Sequence, residues 1–164
     1  MKLSLFSNKS SESGFRLHSY EVWNWGTFDH QSYKIEPLGE TSLLTGANAS
    51  GKTTLIDGLL TLLVPERRMR FYNQTAGLKG ERTEDSYVLG EYGENEEADI
   101  KETKKLRPDK SKAHSVLLAV FQNESQFVTL AQVRWFSGSE LKRSFILCYK
   151  TNAVNFAPIF SISQ

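Results

Sequence analysis

The run Gly46-Ala47-Asn48-Ala49-Ser50-Gly51-Lys52-Thr53 constrains this chain more than any other stretch, because it fits the phosphate-binding pattern G-x-x-x-x-G-K-[ST]. Glycines let the backbone curl until successive N–H groups point into one concave nest, which holds an anion. In such a loop Lys52 reaches the β- and γ-phosphates of a nucleotide, and the Thr53 hydroxyl ligates Mg²⁺. A helix that starts here adds its unpaired N–H groups and the positive end of its dipole. At average residue frequencies a chance match in a chain of this length is roughly a half-percent event.

The flanks agree with the motif. Thr41-Ser42-Leu43-Leu44-Thr45 reads as a short strand. Thr54-Leu55-Ile56-Asp57-Gly58-Leu59-Leu60-Thr61-Leu62-Leu63-Val64 reads as a helix that stops at Pro65. Strand, glycine loop and helix are the context in which this pattern binds phosphate. The helix is apolar nearly all round, which predicts burial. The plain alternative is a strand-to-helix turn with a surface lysine.

The chain has 164 residues, enough for one domain with a core. A net charge of +1 gives no global electrostatic case for nucleic acid or a membrane surface. Cys148 is the one cysteine, so no intramolecular disulfide framework exists and a reducing compartment fits. Its apolar strand context predicts a buried small hydrophobe rather than a reactive thiol. Residues 1–13 are polar and serine-rich and read as a flexible leader, without the apolar region of a signal peptide. No run reaches the length of a membrane span, and the chain reads as cytoplasmic with no membrane partner.

Apolar and polar residues alternate from Phe15 to Trp23, which predicts a half-buried strand. Asn24-Trp25-Gly26 makes a turn, residues 27–35 read as a weaker second strand, and Pro37-Leu38-Gly39-Glu40 turns toward the glycine loop. Residues 81–113 are rich in charge and poor in large apolar side chains, which predicts a mobile surface insert, with a helix or an extended piece at residues 85–92. Three β-rich runs follow at residues 115–121, 127–136 and 141–149. Their short polar connectors predict antiparallel hairpins. The fold class is α/β: a P-loop unit with a mixed, twisted sheet, one buried helix and an antiparallel β subdomain.

This order of elements resembles the N-terminal lobe of an SMC-type ATPase head, of the ABC ATPase class. The likeness spans residues 14–150, leaving 151–164 as an extension or the start of a following region. Within that class, Gly46-Ala47-Asn48-Ala49-Ser50-Gly51-Lys52-Thr53-Thr54-Leu55-Ile56-Asp57-Gly58-Leu59 resembles the condensin-like branch. Tyr20-Glu21-Val22-Trp23-Asn24-Trp25-Gly26-Thr27-Phe28, Leu63-Val64-Pro65 and Arg70-Phe71-Tyr72-Asn73-Gln74 are most similar to the SMC-like subunits of bacterial Wadjet plasmid-defence systems, the JetC family, which is related to MukB and MksB. The resemblance implies ATP and Mg²⁺ as cofactors. It implies as partners a C-terminal head lobe, a second head, kleisin-type and accessory subunits, a nuclease and DNA. SMC proteins usually carry glycine where this chain has Ala49. No Walker B strand ending in Asp-Glu and no Leu-Ser-Gly-Gly signature occurs in the chain, and Ser137-Gly138-Ser139-Glu140 reads as a hairpin turn. The chain therefore reads as half a head, inactive in hydrolysis by itself.

The candidate cofactor-binding residues are Asn24, Trp25, Gly46, Asn48, Ala49, Ser50, Gly51, Lys52, Thr53 and Thr54, with Thr53 as the Mg²⁺ ligand. Asn48, Ser50, Gly51 and Thr54 would line the phosphates largely through backbone N–H groups. Asn24, Trp25 and Gly26 enter from the resemblance, since the turn after the first strand of related heads lies against base and ribose. The alternative for Trp23 and Trp25 is a core or hairpin role. Arg67, Arg68 and Arg70 are either nucleotide- or DNA-sensing residues or a solvated basic turn. Lys104, Lys105, Arg107, Lys110 and Lys112 are either non-specific phosphate contacts or a charged loop. Gln74 invites comparison with the Mg²⁺-contacting glutamine of related heads, although that loop would follow the antiparallel strands. His18, His30 and His114 lack metal-ligand spacing and read as structural or exposed. Two other classes remain: a self-contained P-loop kinase or GTPase, which needs an acid on a later strand, and a non-catalytic interaction module with a degenerate loop.

Overall fold

The computed structural model describes residues 14–70, 72, 82–94 and 103–151. Strand β1 (Arg16–Trp23) forms where apolar and polar residues alternate, and it pairs antiparallel with the short β2 (Ser32–Ile35). Helix α1 (Lys52–Leu63) follows the glycine loop and is released at Val64, just before Pro65. A single 3-10 turn (Arg67–Met69) leads out of it. Helix α2 (Glu84–Leu89) starts at Thr83, whose hydroxyl accepts from the Ser86 N–H while the Ser86 hydroxyl accepts from the Thr83 N–H. These reciprocal bonds satisfy N–H groups that a helix start otherwise leaves open. The small hairpin of β3 (Glu91–Glu94) and β4 (Thr103–Lys105) comes next. Strands β5 (His114–Gln122), β6 (Gln126–Ser137) and β7 (Glu140–Thr151) then run as a meander.

The main sheet has the order β2-β1-β5-β6-β7, and every neighbouring pair is antiparallel. Central β5 reads as a nearly unbroken apolar run because both of its faces are covered. Leu117 and Ala119 join Tyr20, Val22, Leu55 and Leu62 under α1, while Leu118 and Val120 pack with Ala131 on the other side. Helix α1 approaches β1 closely at Gly58. A Cβ there would meet the Tyr20 hydroxyl and lie 2.9 Å from Trp25 Nε1, so only glycine fits.

The three-stranded meander lies where the sequence predicts it. Several other expectations do not hold. Residues 41–45 form no strand and are exposed throughout, because no described strand lies alongside to take their hydrogen bonds. The five-stranded sheet is consequently antiparallel rather than mixed. Helix α1 is buried on one side only, and Ile56, Leu60 and Leu63 are exposed. Within the stretch read as a surface insert, Tyr87, Val88, Leu89 and Ala113 belong to the main core, so the few apolar residues there are the ones that anchor it. The second strand shrinks to four residues, since residues 24–31 are spent on the turn. Cys148 is exposed, because β7 is the sheet's last strand and no described element covers it.

Candidate functional site

The glycine loop connects exposed residues 41–50 to the first turn of α1. Gly51, the residue before the helix, has φ +88°, the left-handed region that glycine occupies without penalty. A Cβ on Gly51 would also lie 2.9 Å from Phe28 Cζ, so the loop rests directly on that ring. No side chain caps the helix start, and its first turn holds no acidic residue. The opening N–H groups of α1 therefore face an anion without competition or repulsion. Lys52 Nζ lies over the loop, donating to the Gly46 and Ala47 carbonyl oxygens, each at 2.7 Å. Phosphate oxygens would replace these neutral acceptors with charged ones, which bind an ammonium more strongly. Thr53 is exposed at the second position of α1, where its hydroxyl oxygen suits a hard cation such as Mg²⁺.

Ala49 is the exception to the loop's good fit, with φ +62°. The left-handed region costs an L-residue about 1–2 kcal/mol, more than the extra unfolded-state freedom of a glycine, about 0.4–1 kcal/mol. Ala49→Gly is therefore expected to raise stability by up to about 1 kcal/mol, read as a higher urea midpoint at unchanged slope.

Asn24 and Trp25, which the resemblance places against base and ribose, are both buried. Trp25 is fully buried, stacks on Tyr87 at 4.5 Å between centroids, and donates Nε1–H to the Thr54 carbonyl oxygen at 3.0 Å. Asn24 is buried, and its Oδ1 accepts from the His30 N–H at 2.8 Å. Trp25 thereby ties the β1–β2 turn to α1, the core role that an aromatic turn also allows, while Asn24 braces the turn itself. Thr54 is buried as well, so any ligand contact falls to its backbone N–H.

Other candidates separate in the same way. Arg107 is buried and donates to the Val88, Gly26 and Tyr87 carbonyl oxygens at 2.8, 2.9 and 3.0 Å, and to Asp29 at 2.5 Å. It is a clamp between turns, whereas Lys104, Lys105, Lys110 and Lys112 are exposed. Arg70 is buried against Glu84, while Arg67 and Arg68 are exposed. Gln74 lies outside the described residues. Among the described residues no group of three or more His, Cys, Asp or Glu side chains could hold a metal, and no helix is long and apolar enough to cross a membrane.

Sequence reasoning missed two features. One is the polar seam beneath α1, where the Tyr87 hydroxyl donates to Asp57 and Thr61 Oγ1 lies 2.8 Å from the Tyr72 hydroxyl. Burial first, then the bond to Asp57, pushes the Tyr87 phenol far above the ordinary tyrosine range; burial also raises Tyr20 and Tyr72. Below about pH 10 all three are neutral in both folded and unfolded chains. Above it the unfolded chain releases phenolic protons that the folded chain retains, so stability falls with rising pH. We expect thermal denaturation to show a progressive loss above about pH 10, at up to about 1.4 kcal/mol per pH unit for each such tyrosine.

The other feature is an open hollow of about 290 Å³ beside the glycine loop. The loop contributes Gly46, Ser50, Gly51 and Lys52 to its wall, and β2 contributes Tyr33, Lys34 and Ile35. The period-two alternation of Tyr33 and Ile35 was the available signal, diluted by the polar residues around it.

Residues 17–78 match the family model described as the P-loop containing region of AAA domain. The match covers the β1–β2 hairpin, the glycine loop and α1, and it points to nucleotide binding. No curated protein matches the chain.

Proposed function

We propose that this chain is the ATP-binding N-terminal lobe of an SMC-like ATPase head of the ABC class. The observation that carries the reading is the uncovered apolar surface beside an intact phosphate loop. Leu43 is 87% exposed in a segment with no strand partner among the described residues, and Ile56, Leu60 and Leu63 line the exposed side of α1. A strand-bearing second lobe would pair with residues 41–45 and cover those side chains. Among the described residues the walls of the loop and hollow hold no aspartate or glutamate, and in the proposed head the acid that completes the Mg²⁺ shell or activates water is supplied by the second lobe. Lys52 would offset charge on the γ-phosphate and Thr53 would hold the Mg²⁺, which polarises the phosphate oxygens.

The resemblance to JetC-type subunits extends the proposal to a cytoplasmic, plasmid-defence machine. There two heads would sandwich ATP and, with kleisin-type subunits and a partner nuclease, translocate or extrude DNA. The self-contained kinase or GTPase is disfavoured by the meander, since residues 115–121, 127–136 and 141–149 contain no carboxylate. A steady-state phosphate-release assay tests the division of labour. The purified chain should bind Mg·ATP yet release no phosphate above a Lys52→Ala control. Sustained Lys52-dependent turnover by the chain alone would contradict the half-site.

A further inference from the structure

Strand β7 ends one side of the main sheet, and its pairing with β6 runs without a bulge from Glu140 to Thr151. The two-residue turn at Gly138 and Ser139 makes Ser137 and Glu140 the closing, hydrogen-bonded pair of the hairpin. Bonding alternates along an antiparallel ladder, so the even-numbered residues of β7 turn their N–H and C=O groups toward β6. Leu141, Arg143, Phe145, Leu147 and Tyr149 turn theirs outward, and no described strand lies beyond to take them. The opposite edge is guarded by brevity and charge: β2 has four residues, with Lys34 tied to Glu36 beside it. On β7 the charges stand toward the ends, at Glu140, Lys142, Arg143 and Lys150, and residues 144–149 contain neither a charge nor a proline. Phe145, Ile146, Leu147 and Tyr149 are exposed. A bare edge of this composition templates pairing with another strand.

We propose that this edge pairs antiparallel with β7 of a second copy of the chain, about a two-fold axis at Phe145. Outward groups must meet outward groups, so odd residues face odd ones and the axis passes through a residue. Charge then selects the register. With the axis at Phe145, Glu140 of each copy stands opposite Lys150 of the other, Leu141 stands opposite Tyr149, and no like charges face each other. An axis at Arg143 sets that residue against itself, and one at Ile146 sets Lys142 against Lys150. An axis at Ser144 or Leu147 separates Glu140 from Lys150. Lys142 already reaches Glu140 at 2.7 Å along the strand, so Lys150 of the other copy would place that carboxylate between two cations. The Arg143 guanidinium lies 5.5 Å from its own Phe145 ring centroid, which gives its charge a place beside the axis. Such pairing uses the same surface on both copies and so closes as a dimer, leaving the short β2 edges at the ends of the joined sheet.

Analytical ultracentrifugation of the purified chain over a dilution series tests the proposal, without nucleotide. The expected result is a dimer that dissociates on dilution. Lys150→Glu, which sets carboxylates opposite each other at both ends, should weaken it by about tenfold, and Glu140→Lys combined with Lys150→Glu should restore it. Phe145→Pro should give a monomer. The Phe145 N–H points away from β6, so proline there removes no bond of the β6–β7 ladder. A circular-dichroism melt of each variant checks that the fold survives, and if Phe145→Pro fails that check the charge exchanges decide alone. A chain still monomeric at about 1 mM, where even a millimolar Kd would pair half of the copies, would overturn the proposal. So would a dimer indifferent to the charge exchanges, because its contact would then lie on another surface, such as the exposed side of α1. Open-ended assembly in place of a dimer would contradict the two-fold closure.

Discussion

Glu84→Gln is expected to destabilise the fold strongly, costing about 3–5 kcal/mol. Glu84 is the shared anion of two buried guanidiniums. Arg70 approaches it at 2.5 Å and Arg134 donates to its other carboxylate oxygen, and the side chains of both arginines are only 1% exposed. Arg134 Nε also donates to Gln132 at 2.7 Å, and its guanidinium lies 6.0 Å from the Trp25 ring centroid. Glutamine keeps the shape of Glu84 but removes its charge, leaving two cations in a medium that cannot solvate them. The loss is a large share of the about 5–15 kcal/mol that holds a typical domain together. Urea denaturation should show it as a much lower midpoint. Replacing the three charged residues together with apolar ones, as Arg70→Met, Glu84→Leu and Arg134→Met, should cost less than Glu84→Gln alone. An isolated buried charge costs more than an absent one. A loss below about 1 kcal/mol in Glu84→Gln would mean that water reaches the cluster.

Lys52→Ala is expected to weaken Mg·ATP binding by about a hundredfold while leaving stability nearly unchanged. Charge-assisted hydrogen bonds contribute about 1.5–3 kcal/mol each, and Lys52 has donors for more than one phosphate oxygen. Without ligand it donates to two neutral backbone carbonyls and the Ser50 hydroxyl on an exposed loop, so its removal costs the fold little. A circular-dichroism melt alongside the titration separates the two effects.

The glycine loop, α1 and the meander were legible because each rests on local chemistry: fixed glycine spacing, helical runs of leucine, short polar connectors between β-rich segments. Residues 41–45 show where that logic stops. Their composition fits a strand, but a strand exists only when a neighbour takes its hydrogen bonds, and no sequence pattern here reports that neighbour. Trp25 shows the same limit in side chains. Its place in the turn suggested a ligand contact, but burial was decided by Tyr87 and Thr54, which lie far along the chain. Arg70 reads in the sequence as one residue of a basic turn, and its convergence with Glu84 and Arg134 from three segments makes it interior. The hollow was invisible for a related reason, because β2 and the glycine loop meet in space across a turn whose course the sequence does not report.

The most direct measurement is a titration of the purified chain with fluorescent Mg·ATP, run in parallel on Lys52→Ala. The account predicts saturable binding that the variant loses. Binding of equal strength in both proteins would contradict it, because the phosphate loop would then not be the site that holds the nucleotide.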